Sequence, residues 1–240
     1  ANKVITCEVD KIIAEAAKQI ISQNGYSEKI SVLGKKSTEL TIGSDIPQRV
    51  DLVLSEILSS EFVGEGVIPT IVDASRRLMK NGCKMIPEGG EILVTLLSES
   101  AKAKEDNLIE NQFGYNLSDF NKILQSKKLN ILKEKPSFKC SIEAPFSFDF
   151  YKAETLVEKE KIFEIEALED CAVLGIITWL KLNLYDNIVF ENKPSESGSG
   201  WINPIYFFEE PLSVTAGQKI RVKGILMLDN VWFEVMDACE

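Results

Sequence analysis

Apolar positions in the first hundred residues fall into two spacings. Residues 4–7 form a short apolar run that closes on Glu8, which predicts a buried strand. Over residues 11–23, Ile12, Ile13, Ala16, Ala17, Ile20 and Ile21 share one helical face, and Gly25 supplies a stop. Residues 30–33 and 50–54 predict two further strands. Pro69 opens a helix whose periodic positions continue over residues 71–79, with Gly82 as its end. The order β-α-β-β-α on short apolar strands implies a mostly parallel sheet covered by helices.

The pattern changes after a boundary near residues 98–102. Residues 102–111 are charged, and residues 111–124 read as a short amphipathic helical piece. From about residue 137 the spacing favours strands, over 146–150, 162–165, the long apolar run 173–184, 205–208, 220–227 and 231–235. Residues 193–200, rich in Pro, Ser and Gly, predict a loop. An α/β half (residues 1–100) is therefore followed by an antiparallel half (residues 101–240).

Composition narrows the field of partners. The formal charge of −10 opposes a nucleic-acid backbone and suits a basic partner, although moderate acidity also serves solubility alone. No run of eighteen uninterrupted apolar residues predicts a membrane span. Cys7, Cys83, Cys140, Cys171 and Cys239 lie far apart with no C-x-x-C pair, as expected of reduced thiols in an intracellular, cytoplasmic or nuclear protein without metal ligation. There is no histidine. Ser-His and Cys-His nucleophilic chemistry and most zinc hydrolase sites are excluded, so carboxylates or proximity must carry any catalysis.

The carboxylates gather at one place. After the apolar run 50–54 comes Ser55-Glu56-Ile-Leu-Ser-Ser-Glu61-Phe-Val-Gly-Glu65-Gly66. In an open α/β sheet, ligands bind beyond the carboxyl ends of strands. Three carboxylates within ten residues repel one another unless a cation offsets them, so the expected guest is cationic. Glu8 ends an earlier strand, where an acid takes ribose hydroxyls in nucleotide-binding sheets; a solvated strand-end or helix-cap carboxylate is the plainer alternative. The glycine pairs at 89–90 and 198–200 are not in strand-turn-helix context and do not form a nucleotide loop.

These residues resemble the protein arginine methyltransferases over essentially the whole chain. The family has two glutamates nine residues apart in a "double-E" loop, matched here by Glu56 and Glu65. The wording Glu61-Phe-Val-Gly-Glu65-Gly66 is most similar to its tandem-domain members, the seventh and ninth arginine methyltransferases, whose second module is degenerate. Asn111-Gln-Phe-Gly-Tyr-Asn-Leu-Ser resembles the start of a dimerisation arm, and residues 173–184 resemble the family's long barrel strand. Trp201 matches the family's THW loop, with Ser199 and Gly200 standing where threonine and histidine are usual.

The resemblance implies a Rossmann-like S-adenosylmethionine-dependent sheet, its first strand missing, followed by an antiparallel β-barrel with a helical arm at about residues 107–132. It implies protein-arginine N-methylation from S-adenosylmethionine, with dimer-like packing against another methyltransferase module. Glu56 and Glu65 would clamp the substrate guanidinium beside Trp201, and Glu61 would be structural. Glu8 would take the ribose, with Thr38 and Glu39 near the adenine. Without the family's glycine loop and N-terminal aromatic helix, the chain by itself is expected to bind cofactor poorly. A catalytically silent module serving as scaffold or docking partner is the alternative.

Overall fold

The computed structural model describes residues 1–98, 109–120, 128–130, 136, 138–152, 155–194 and 199–238. They divide into two compact units, one over 1–53 and 69–85, the other over 54–68 and 86–240.

In the first unit β1 (Val4–Cys7) and β2 (Ile30–Leu33) pair in parallel, Cys7 opposite Leu33, across α1 (Lys11–Gln23). Asp10 caps α1 by accepting from the backbone N–H of Ile12 and Ile13, and Gly25 beyond its end adopts φ +73°. β3 (Val50–Leu54) pairs with β4 (Met79–Ile86). Val50 N–H donates to Leu78 O and Ser55 N–H to Ile86 O, so both strands run the same way. Between them α2 (Val67–Arg77) carries Pro69 in its first turn, where a missing N–H costs nothing.

Three expectations change here. The helix ends at Arg77, and Gly82 lies inside β4 at φ +74° instead of closing the helix. β1 and β3 are partly exposed, not buried. The apolar face of α1 is also largely open: Ile12 is 82% exposed, Ile13 56% and Ile20 59%, while Ala14 is buried. The unit's core instead joins Leu40, Ile46, Ala74 and Leu78 to Ile5, Cys7 and Leu33.

Arg77 fastens this core's edge. Its guanidinium pairs with Asp73 and donates to the carbonyls of Leu40 (2.6 Å), Thr38 (3.0 Å) and Ser37 (3.2 Å). A compact ammonium cannot reach all of these acceptors at once. Arg77→Lys is expected to lower unfolding stability by about 1–2 kcal/mol, seen as an earlier urea midpoint. An unchanged midpoint would mean that water satisfies the three carbonyls equally well.

The second unit holds two antiparallel sheets. The larger has the order β8 (Lys128–Asn130), β13 (Asn203–Val214), β11 (Cys171–Tyr185), β5 (Gly89–Ser98), β9 (Glu143–Asp149), with β12 (Ile188–Glu191) also on β11. The smaller is β10 (Lys159–Glu166), β14 (Lys219–Leu226), β15 (Val231–Ala238). Phe146 of β9 and Tyr206 of β13 both pack on Phe233 of β15, and the Tyr206 hydroxyl donates to Val231 O, so the sheets face each other. On the opposite face of the larger sheet Leu97, Ile177, Trp179 and Ile205 form a second buried cluster. Among the described residues the pairings leave both sheets open.

The helical piece expected at residues 111–124 does not begin as a helix. β6 (Asn111–Gln112) and β7 (Tyr115–Asn116) form a hairpin, with Phe113 at φ +53° and Gly114 at φ +83° in its turn. Two consecutive left-handed residues match the twist of paired strands. Residues 121–127 lie outside the described residues.

Candidate functional site

β3 runs directly into the acidic loop, whose shape is set by one hydroxyl and one ring. Ser59 Oγ accepts from the backbone N–H of Glu61 (3.2 Å) and Gly64 (3.0 Å), while Phe62 N–H donates to Ser59 O. A Cβ on Gly64 would collide with the Ser59 side chain, so glycine is required there. Phe62 takes φ +71° and sends its ring wholly into the interior, stacked on Phe148 at 4.1 Å. Glu65 also lies in the left-handed region, at φ +63°.

A second segment closes the site. Trp201 Nε1–H donates to Leu58 O at 2.7 Å, and Ile202 N–H donates to Ser60 Oγ at 3.1 Å. Trp201 N–H is held by Ser199 Oγ, and its ring meets Phe190 edge-on at 5.6 Å. Together these segments line a cleft of about 520 Å³ formed by Glu56, Leu58, Ser59, Ser60, Glu61, Gly64, Glu65, Gly200 and Trp201.

The fold thus brings Glu56, Glu65 and Trp201 to one cleft. Glu56 and Glu65 are exposed; Glu61 is half-buried and lines the same cleft, so its carboxylate adds to the negative potential there. Burial, and secondly the Glu61 carboxylate, push the Tyr206 phenol above its ordinary pKa, which keeps that hydroxyl protonated as donor to Val231 O. No Lys or Arg is among the cleft-lining residues. A planar cation with several N–H donors complements such a surface, since each carboxylate can accept two of them.

Ser59, Ser60 and Phe62 carry much of the geometry and give little sign of it in sequence. Ser59 acts locally, through Glu61 and Gly64, whereas Ser60 and Phe62 depend on Ile202 and Phe148, far along the chain.

Glu8, Thr38 and Glu39 belong to the other unit. Glu8 follows β1, its N–H donating to Leu33 O and its Oε1 accepting from Asp10 N–H at 2.8 Å. The carboxylate thus bonds the backbone at the entry to α1. Thr38 and Glu39 are exposed in a short 3-10 turn (Ser37–Glu39) just after β2. Because β1 and β2 are parallel, Glu8 and this turn emerge from the same, carboxyl end of the pair. Four described cysteines (Cys7, Cys83, Cys140 and Cys171) are free, and burial beside Cys171 pushes the Cys140 thiol up to about 12. Among the described residues no helix is long and apolar enough to cross a membrane, and no group of three metal-ligating side chains occurs.

No family model matches the chain. An arginine N(omega)-methyltransferase of Streptomyces achromogenes subsp. streptozoticus is 27% identical over 224 residues, covering 93% of this chain and 62% of that protein. Protein arginine N-methyltransferase 7 of Mus musculus is 37% identical over 92 residues, 38% of this chain and 13% of that protein. The chain thus spans less than two thirds of the length of these curated relatives. Among solved structures, PRMT1 of Trypanosoma brucei, in an enzyme-prozyme heterotetrameric complex with AdoHcy, superimposes with a TM-score of 0.78 at 19% identity, covering 94% of this chain and 71% of that one. By sequence this chain is similar to these arginine methyltransferases, and its fold is similar to that of the trypanosomal structure.

Proposed function

We propose that the protein to which this chain belongs transfers a methyl group from S-adenosylmethionine to an arginine guanidinium of a protein substrate. The observation that carries this reading is the cleft itself: three carboxylates, a tryptophan and no cationic lining residue. Glu56 and Glu65 hold the guanidinium through paired N–H···O contacts and draw its positive charge towards the nitrogens they grip. The remaining nitrogen is left as the nucleophile, and its proton passes to one of these carboxylates or to water. Trp201, fixed through Leu58 O, provides a flat wall for the cation. Alignment supplies most of the acceleration.

The residues of the other unit fit part of the cofactor. Glu8 presents a carboxylate, steadied by Asp10 N–H, at a strand's carboxyl end, which suits a ribose diol. Thr38 and Glu39 stand beyond the neighbouring strand on the adenine side. When bound, S-adenosylmethionine supplies an already activated methyl.

Several finer readings go with this one. The two facing sheets are read as walls of a β-barrel; the substrate and dimerisation half, residues 101–240, supplies all their strands but β5, which comes from the methyltransferase half, residues 1–100. The hairpin with Phe113 98% exposed and Tyr115 71% exposed supports an arm at about residues 107–132 that packs on another methyltransferase module, in a tandem or dimeric arrangement. A silent scaffold module is the second reading. It is favoured by Gly200, which brings no side chain to the cleft where the family's histidine stands.

One experiment separates them. Calorimetric titration with S-adenosylhomocysteine is paired with a radiolabelled transfer assay on an arginine-rich peptide. For the protein to which this chain belongs, binding with incorporation into methylarginine is the expected result. Cofactor or peptide binding without incorporation would leave the scaffold reading standing.

A further inference from the structure

The edge of β12 adjoins the candidate cleft and is open on one side. Residues 181–183 of β11 lie opposite Glu191, Phe190 and Val189. Asn192 N–H donates to Leu180 O, so residues 180 and 192 form a hydrogen-bonded pair, and by alternation so do Leu182 and Phe190. The backbone N–H and C=O of Val189 and Glu191 therefore point away from β11. Among the described residues β12 pairs with β11 alone. Ile188 is 61% exposed and Val189 49%. Such an edge is a template for another extended chain.

The edge also leads to the cleft. Phe190 touches the Trp201 ring, and Trp201 lines the acidic cleft with Gly200. A strand laid along β12 would run beside Phe190 and so past Trp201, bringing a basic side chain towards the three carboxylates that share the cleft with that ring.

We propose that β12 is a docking rail on which an extended, arginine-bearing peptide adds as an extra strand, delivering its arginine to the Glu56–Glu65 cleft. The proposal rests on the reading of that cleft as an arginine site. The rail contributes main-chain hydrogen bonds, through the Val189 and Glu191 peptide groups, that are indifferent to the peptide's sequence. Ile188 and Val189 add apolar contact with alternate residues. The cleft then selects which residue is presented.

The test uses an arginine peptide and its analogues with single backbone N-methyl groups, titrated into the native protein by calorimetry. N-methylation on the pairing side, at alternate residues, is expected to weaken binding about tenfold per position, and on the opposite side to leave it nearly unchanged. Val189→Pro, which removes an outward donor, is expected to weaken the unmodified peptide about tenfold while the melting transition stays in place. Equal effects at every N-methyl position, or native affinity in Val189→Pro, would overturn the rail. So would altered sedimentation of Val189→Pro with unaltered peptide affinity, which would make this edge a contact between copies. Methyl transfer is scored separately on a blocked single arginine. Failure there with the alternating binding pattern intact would remove the catalytic reading and leave the rail.

Discussion

Glu56→Gln is expected to lower methyl transfer by about 10²–10³-fold while leaving the unfolding midpoint unchanged. The magnitude is that of deleting one preorganised electrostatic contact at a reacting group. The substitution keeps shape and one acceptor oxygen, and replaces the charge and the other oxygen by a neutral NH2 donor. Glu56 is exposed and no hydrogen bond of its side chain is found among the described residues, so stability should change by no more than about 0.5 kcal/mol. The loss should fall mainly on kcat, because a neutral amide still hydrogen-bonds the ground-state guanidinium but polarises it less. Glu65→Gln should behave alike, with the difference that Glu65 occupies a left-handed backbone position that glutamine tolerates no better. Transfer assays at saturating and limiting peptide separate the two effects. Native turnover in Glu56→Gln would remove that residue from the clamp.

Much of this site was legible because it is local. Glu56, Glu61 and Glu65 lie within ten residues of one another, directly after an apolar strand, and the chain needs only that strand's end to present them. Trp201 joined them by resemblance, and its bond to Leu58 O gives the physical reason for the association. Long-range pairing was not legible. Gly82 reads as a helix stop, yet the polar stretch around it becomes β4, paired with β3, whose ends are marked by Val50 N–H donating to Leu78 O and Ser55 N–H donating to Ile86 O. The extent of α1 follows from its spacing, whereas its burial follows from which neighbours reach it; Ala14 is covered and Ile12 is not. At residues 113–114 the Phe-Gly turn signal outweighed the amphipathic spacing, since glycine there adopts positive φ at little cost. Phe62 gave no warning at all. Nothing in Glu61-Phe-Val-Gly says that the aromatic ring, and not the carboxylate, turns inward.

Phe62→Ala is expected to destabilise the protein by about 3–5 kcal/mol, the range for an aromatic ring removed from a closed interior. Phe62 is fully buried, stacked on Phe148 at 12° and tilted against Phe150 at 5.9 Å. Its ring also fills the space above Gly90, where a Cβ would lie 2.7 Å from the Phe62 Cε2 atom. An opposing term exists: a non-glycine residue at φ +71° carries about 1–2 kcal/mol of backbone strain. Phe62→Gly would relieve that strain and Phe62→Ala would not, so the glycine variant should be the less damaged of the two at the backbone. It should still be well below native stability, because the lost ring outweighs the relieved strain. The functional consequence follows from position. Phe62 lies between Glu56 and Glu65, and its anchorage holds the turn in which Val63 N–H bonds Glu61 O and Gly64 N–H bonds Ser59 Oγ. Releasing it should speed amide exchange at Val63 and Gly64 and depress methyl transfer with both clamp carboxylates untouched. Native exchange at Gly64 alongside a lowered unfolding midpoint would show instead that Ser59, Ser60 and Trp201 suffice to hold the loop, and that the ring serves the sheet rather than the site.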